Sequence, residues 1–255
     1  DGPMSRGLGD VYKRQILVSL LGSLGFIWSD LWLGVTILAL LLAIPVFIFT
    51  PNPVVTNETT KKFNTSTRLG FNLITFSYGL YGFGYVVLGT FISTMARDTS
   101  GLESTETYVW LLVGLAGIPM VIFWPWFGKK IGNDLALFLA CLIMGIGILM
   151  PVIVDHKLGI IFAAILLGGT FIPITALAFL EGQSRYKGSI IVSTAILTSS
   201  FSIGQMVGPY FGGIIIDTFS SYDVALTISS ISLLFAAILM IHPNRFSSIK
   251  FINTP

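Results

Sequence analysis

The sequence predicts an all-α integral membrane protein, and three observations lead to this fold class. Apolar residues of the set AVILMFWYC make up 54% of the 255 residues, and charged residues make up only 10%. Soluble domains carry about 25% charged residues, so this chain has too little charge to cover a surface in water. The apolar residues also form long runs between short polar breaks, which is typical of helices that cross a bilayer.

The composition also excludes several function classes. A net charge of +2 provides no basic surface for nucleic acid. One cysteine rules out an internal disulfide, and two histidines are too few for a histidine-based metal centre. No zinc-protease, serine-hydrolase or P-loop motif is present. We therefore expect a protein that is not an enzyme and that uses neither a metal nor another cofactor.

The first fifteen residues, 1–15, end in GDVYKRQ, which resembles a translated library-adaptor scar. The alternative is a genuine short cytoplasmic loop. The apolar stretch that follows, residues 16–29, is shorter than the about 20 residues that a spanning helix needs. We expect residues 1–15 to be non-native and residues 16–29 to be the end of a helix whose first half is missing.

Seven full spans follow this fragment. A break rich in Pro, Asn and Thr, residues 51–69, indicates a linker that separates the first of them from the other six. The predicted organisation is therefore one partial and one full helix in 16–50, the linker, a six-helix bundle in 70–242 and a tail in 243–255. The predicted spans are 31–50, 70–96, 108–127, 135–154, 159–181, 188–216 and 223–242.

The basic residues in the connections alternate between the two sides of this predicted bundle. Only Arg97 and Lys157 fall on one side, and the other basic residues after the fragment fall on the opposite side. By the positive-inside rule, the more basic side, which includes the linker and the C-terminus, is cytoplasmic. Its basic residues are Lys61, Lys62, Arg68, Lys129, Lys130, Arg185, Lys187, Arg245 and Lys250.

Two spans, 31–50 and 135–154, contain almost no polar side chain, so we expect them to face lipid. The span 70–96 is different, because Tyr78, Tyr81 and Tyr85 fall within an arc of about 60° on a helix. A tyrosine hydroxyl in hydrocarbon needs a partner. These side chains either line a path for water or ligand, or pack between helices with their hydroxyls bonded to backbone.

The span 188–216 also carries a polar stripe, in which Thr198 and Gln205 lie on one face with Thr194 and Ser202. Threonine and serine can bond the preceding helical turn, whereas the amide of Gln205 needs partners from elsewhere. It therefore either contacts a ligand or clamps two helices together.

In the span 159–181, Thr170 and Glu181 share one helix face. Glu181 lies at the expected cytoplasmic end. It is either an interfacial anchor near Arg185 or a gating or coupling carboxylate.

Glycines and a proline interrupt the second half of the span 188–216. Gly204 and Gly208 are four residues apart, which lets two helices approach closely, and Pro209 removes a backbone hydrogen bond. Such an element can bend or rock, or it can form a static tight crossing.

These polar segments carry a family resemblance. The stretch from Tyr78 to Tyr85 (YGLYGFGY), the stretch from Thr170 to Ala176 (TFIPITA) and the pattern GQxxGPxxGG from Gly204 to Gly213 are similar to helices of the YbfB/YjiJ-like branch of the major facilitator superfamily (MFS). Over residues 16–242, the resemblance implies the end of helix five, helix six, a central loop and helices seven to twelve. The N-terminal six-helix half would then be largely missing.

The resemblance implies a secondary active transporter in the bacterial inner membrane. Two six-helix bundles would rock about a central site and move a small organic solute by alternating access, driven by an ion gradient, usually of protons. The solute-lining candidates are then Tyr78, Tyr81, Tyr85, Thr170, Thr198 and Gln205. The gating or coupling candidates are Glu181, Gly204, Gly208 and Pro209.

The chain departs from the superfamily pattern in the connection between helices eight and nine. Pro125 stands where a glycine is expected, and Lys129 stands where an aspartate is expected, so we expect no salt-bridge gate there. Two other functions stay open: a non-transporting sensor or scaffold on this fold, and an intramembrane enzyme. The enzyme would need a base at membrane depth, and neither His156 nor His242 lies in the middle of a span.

Overall fold

A computed structural model describes residues 28–49, 68–102, 106–154 and 156–241. The predictions for residues 1–15, for most of 16–29 and the linker, and for the tail lie outside these ranges. The described residues form seven α-helices, named α1 to α7 in chain order. Their bounds are Trp28–Phe49, Arg68–Asp98, Glu106–Ile131, Asn133–Ile153, His156–Arg185, Ile190–Phe219 and Asp223–Met240.

The helix α1 belongs to a separate compact unit, which covers residues 1–61. Its apolar side chains are largely exposed, and Leu33 and Leu40 each expose more than 60% of their surface. That this helix faces lipid stays a prediction.

The helices α2 to α7 form the second unit, a bundle in which each is long and apolar enough to cross a bilayer. The predicted all-α membrane fold is therefore confirmed. The helix α2 packs mainly against α6 and α7, while α5 packs against α3 and α4, and α4 also contacts α7. These contacts place the middle of α2 next to the middle of α5 and α6.

Two helices continue by four residues, about one turn, beyond the C-terminal ends of their predicted spans, which corrects the sequence analysis. The helix α3 ends at Ile131 with Lys129 and Lys130 in its last turn, and α5 ends at Arg185. Backbone hydrogen bonds can continue where hydrocarbon ends, and cations are favourable at a helix C-terminus. Lys129, Lys130 and Arg185 therefore lie on helices, whereas Lys187 lies in the connection between α5 and α6.

The helix α4 does not expose its whole circumference, contrary to the expectation for its apolar span. Ala136, Ala140 and Met144 are completely buried on one face, whereas Ile153 is 60% exposed. An added Cβ at Gly147 would lie 2.7 Å from the Cβ of Leu166 in α5. An apolar composition cannot distinguish contact with lipid from contact with protein, because both surroundings are apolar.

Candidate functional site

Five aromatic rings from three helices meet at the middle of the bundle and form what we call the aromatic cluster. The rings of Tyr85 and Phe201 lie 5.6 Å apart with an angle of 5° between their planes, and those of Tyr78 and Phe201 lie 4.8 Å apart at 16°. Offset stacking at such distances is favourable for aromatic rings. The cluster consists of Tyr78, Tyr81, Tyr85, Phe171 and Phe201.

The two phenylalanines form the accessible side of this cluster. All three tyrosines are at least 92% buried, whereas Phe171 and Phe201 are half-buried. Phe171 stacks on Tyr85 at 4.9 Å, and Phe201 contacts all three tyrosines. A molecule that approached the cluster would therefore meet a phenylalanine ring first.

The hydrogen bonds around the cluster show which partners two of its tyrosines have. The hydroxyl of Tyr81 donates a 2.9 Å hydrogen bond to the carbonyl oxygen of Phe171, so this tyrosine packs between helices with its hydroxyl on backbone. The amide of Gln205 donates a hydrogen bond to the hydroxyl of Tyr85. Gln205 is half-buried, and its carbonyl oxygen accepts no hydrogen bond from the described residues. It can therefore accept one from a ligand.

The two threonine candidates do not join the cluster. Thr170 is 2% exposed, and its hydroxyl donates a 2.6 Å hydrogen bond to the carbonyl oxygen of Leu166 in its own helix. Thr198 lies on an exposed side of α6. Their assignment as solute-lining residues stays a prediction.

Glu181 is paired with a cation that the sequence analysis placed in a connection. Its Oε1 lies 2.9 Å from Nε of Arg185, whose side chain is completely buried. The same guanidinium donates to the carbonyl oxygens of Met240, at 2.6 Å, and Gly70, at 3.4 Å. The pair thus holds together the ends of α2, α5 and α7, which is the geometry of an anchor. A gating or coupling role of Glu181 stays a prediction.

The glycines of α6 lie directly against α2. An added Cβ would come within 2.7 Å of the backbone nitrogen of Phe83 at Gly204, and within 2.6 Å of the carbonyl oxygen of Phe83 at Gly208. The helix continues through Pro209 to Phe219. The two helices therefore form a tight crossing, one of the two alternatives from the sequence. Bending or rocking at this crossing stays a prediction.

The opposite end of the bundle has a polar contact of its own. The hydroxyl of Tyr222, in the connection between α6 and α7, donates a 3.0 Å hydrogen bond to Oδ2 of Asp98 at the end of α2. Partial burial, followed by this bond and the negative charge of Asp98, raises the pKa of Tyr222. The contact joins the end of α2 to the connection that precedes α7.

Sequence reasoning missed two members of the aromatic cluster, Phe171 and Phe201. Phe201 lies one helical turn before Gln205, so the polar stripe on α6 could have indicated it. Phe171 directly follows Thr170. The sequence analysis did place Arg185 near Glu181, at the spacing of an intrahelical ion pair, but it did not indicate that Arg185 is buried. None of these signals reveals which other helix the side chain contacts.

The family comparison agrees with the fold and with the motifs. A family described as "Uncharacterised MFS-type transporter YbfB" matches residues 7–241, and no curated protein matches the chain. The match begins inside residues 1–15, so the non-native origin of that segment stays a prediction. It also covers every segment that carries the resemblance and all six helices of the bundle. The chain belongs to this family of MFS-type membrane transporters.

Proposed function

We propose that this chain contributes the C-terminal bundle of a secondary active transporter, which moves a small organic solute across the bacterial inner membrane by alternating access. Family membership and six membrane-capable helices support a transporter in general. The observation that carries the proposal is the aromatic cluster with Gln205, halfway along α2, α5 and α6. Secondary transporters bind their solutes near the bilayer midplane, between two bundles. An N-terminal six-helix half would close the site from the other side.

The chemistry of the cluster favours an amphipathic or neutral solute with a flat apolar part. Phe171 and Phe201 offer ring faces for stacking, and Gln205 offers an amide for a hydrogen bond. Burying a charge at this depth is costly unless it is paired. The cluster contains no charged side chain to form such a pair.

Proton coupling is part of the proposal, and Glu181 is its carboxylate candidate among the described residues of the bundle. The other possible location is the N-terminal half. The Glu181→Gln variant of the complete protein distinguishes between these two locations of the coupling carboxylate. If its uptake has the same pH dependence as the wild type, Glu181 is not the coupling residue.

The transport proposal is tested with the complete protein in liposomes. Uptake of a panel of neutral, amphipathic and charged aromatic solutes is measured under an imposed pH gradient. We expect Phe201→Leu to reduce uptake of the preferred solute by up to about tenfold, because one stacking contact contributes about 0.5–1.5 kcal/mol. Phe211→Leu is the control, since Phe211 is exposed on the same helix and stacks on no ring of the cluster.

Two results would contradict the proposal. If no solute is taken up but a solute still binds, the sensor function that the sequence left open is favoured instead. If Phe201→Leu and Phe211→Leu reduce uptake equally, the aromatic cluster is not the solute site.

A further inference from the structure

A cavity of about 800 Å³ opens at the Arg185 end of the bundle. Its walls are the N-terminal parts of α2 and α6, and the residues between α5 and α6 close one side. None of its lining residues is acidic. It is distinct from the aromatic cluster, because no ring of the cluster lines it.

The rim of this cavity carries one cation that is available to a ligand. The guanidinium of Arg185 lies in the wall, but it is already bound to Glu181 and to two backbone carbonyls. Lys187 is exposed and forms no ion pair with any residue in the described ranges. Among the described residues that line the cavity, Lys187 is therefore the one that offers a positive charge without a counter-charge.

The walls are apolar with a few polar groups. Phe71, Phe76 and Ile196 supply the apolar surface, and the ring of Phe71 packs at 4.6 Å against that of Tyr186. The exposed amide of Asn72 lies beside them, and the hydroxyl of Ser200 is bonded to the carbonyl oxygen of Thr75. A ligand that fits these walls has an apolar body and a single polar end.

The inner end of the cavity lies close to the aromatic cluster along both α2 and α6. Ser200 directly precedes Phe201, and Thr75 lies one helical turn before Tyr78. The distance along α2 from Phe71 to Tyr78 is about 10 Å, at the rise of an α-helix. A ligand with its charged end at Lys187 would therefore direct its apolar body towards Phe201.

We propose that this cavity binds a small amphipathic monoanion, such as an aryl carboxylate, with the carboxylate at Lys187 and the apolar body between α2 and α6. The inference rests on the proposed function in one respect, since the bound anion would be the solute, with its charge at Lys187 and its apolar body directed towards the aromatic cluster. Binding is measured without transport, so the two proposals can fail separately.

The test uses the complete protein in nanodiscs of phosphatidylcholine, with protein-free nanodiscs as the blank. The probes are naphthoate and naphthamide, which share size and ring but differ in charge. We expect naphthoate to bind about three- to fivefold more tightly, which is the effect of one solvent-exposed ion pair. Lys187→Gln is expected to abolish this preference. Lys129→Gln is the matched control, because Lys129 is exposed at the same end outside the cavity.

A second pair of variants tests the position of the apolar body. Ile196→Trp places a large ring in the wall, and we expect it to weaken binding of both probes at least tenfold. Ile203→Trp is the control, because Ile203 is exposed on the same helix two turns away and lines no part of the cavity.

Three outcomes would overturn the proposal. The first is equal affinity for naphthoate and naphthamide, and the second is an equal loss of preference in Lys187→Gln and Lys129→Gln. The third is displacement of naphthoate by phosphatidylglycerol in the nanodisc, because the occupant would then be a membrane lipid of the same chemistry. Binding without uptake contradicts the transport proposal alone, whereas uptake without binding at the cavity contradicts this proposal alone.

Discussion

The guanidinium of Arg185 is the most deeply buried charge in the described part of the chain. The last carbonyls of a helix lack partners within that helix, and Arg185 satisfies one of them at Met240. It also neutralises Glu181, which is 8% exposed. The guanidinium thus supplies the hydrogen bond and the counter-charge that water would otherwise supply to these buried groups.

Replacing Arg185 is therefore expected to destabilise the bundle strongly. Arg185→Gln leaves Glu181 buried without its cation, and the loss of one partner of a buried pair costs about 3–5 kcal/mol. We expect a clear decrease of the thermal unfolding temperature in detergent. The double variant with Glu181→Gln should recover part of it, and Lys187→Gln, at an exposed position, should change little. Equal stability of the single and double variants would contradict the ion pair as the cause.

The Tyr222–Asp98 contact predicts a change of stability at alkaline pH. The pKa of Tyr222 is raised above the ordinary value of 10.0, so its neutral form is favoured in the folded state. The stabilisation is fully present below pH 10.0 and is lost as the pH rises through the folded-state pKa. Unfolding temperatures measured across this range should fall less for Tyr222→Phe than for the wild type. Parallel curves for the two proteins would contradict this assignment.

At the scale of the element, the packing of α6 against α2 depends on glycines, which have no side chain. Its glycines at 204 and 208 let its backbone approach that of α2, so that their nearest neighbours are mostly backbone atoms of Gly79 and Phe83. The aromatic cluster sits beside this crossing, because Phe201 and Gln205 flank Gly204. The close approach therefore determines how near Phe201 lies to the tyrosines of α2.

We expect Gly204→Ala and Gly208→Ala to destabilise the protein by about 1–3 kcal/mol, the usual cost of overpacking a core. The added methyl groups would contact backbone atoms of Phe83, which cannot move as a side chain can. Gly213→Ala is the matched control, because an added Cβ there meets nothing within 4 Å. Denaturation in detergent should show no loss for the control, since alanine favours a helix more than glycine does. An equal loss of stability in Gly213→Ala would show that the cost comes from reduced helix flexibility and not from packing.

At the scale of the whole molecule, the two ends of the bundle differ in charge. One end carries Lys129, Lys130 and the Arg185 anchor, and the other carries Asp98, Lys157 and Asp223. The positive-inside rule predicts that the first end faces the cytoplasm.

This orientation can be tested by labelling single cysteines in intact cells. The native Cys141 is completely buried, so it should contribute little background. Lys157→Cys and Lys129→Cys introduce exposed thiols at opposite ends. We expect a membrane-impermeant maleimide to label Lys157→Cys in intact cells, and Lys129→Cys only after the cells are opened. The reverse pattern would show that the orientation is inverted.

The sequence by itself determined the membrane class, the six helices of the bundle and the family, because each depends on local composition and spacing. An apolar run in lipid has no alternative to a helix, and short motifs such as YGLYGFGY lie within one helix. It also indicated Tyr78, Tyr81, Tyr85 and Gln205 as unusual, since polar groups in hydrocarbon need partners.

Only the tertiary structure decided which partners these groups have. Tyr81 bonds to Phe171 across 90 positions of sequence, and Gln205 bonds to Tyr85 across 120. Periodicity predicts the face of a helix on which a residue lies, but it carries no information about the helix packed against that face. The stacking of Phe201, the burial of Arg185 and the cavity beside Lys187 all arise from such contacts, because each joins residues of helices that are distant in the chain.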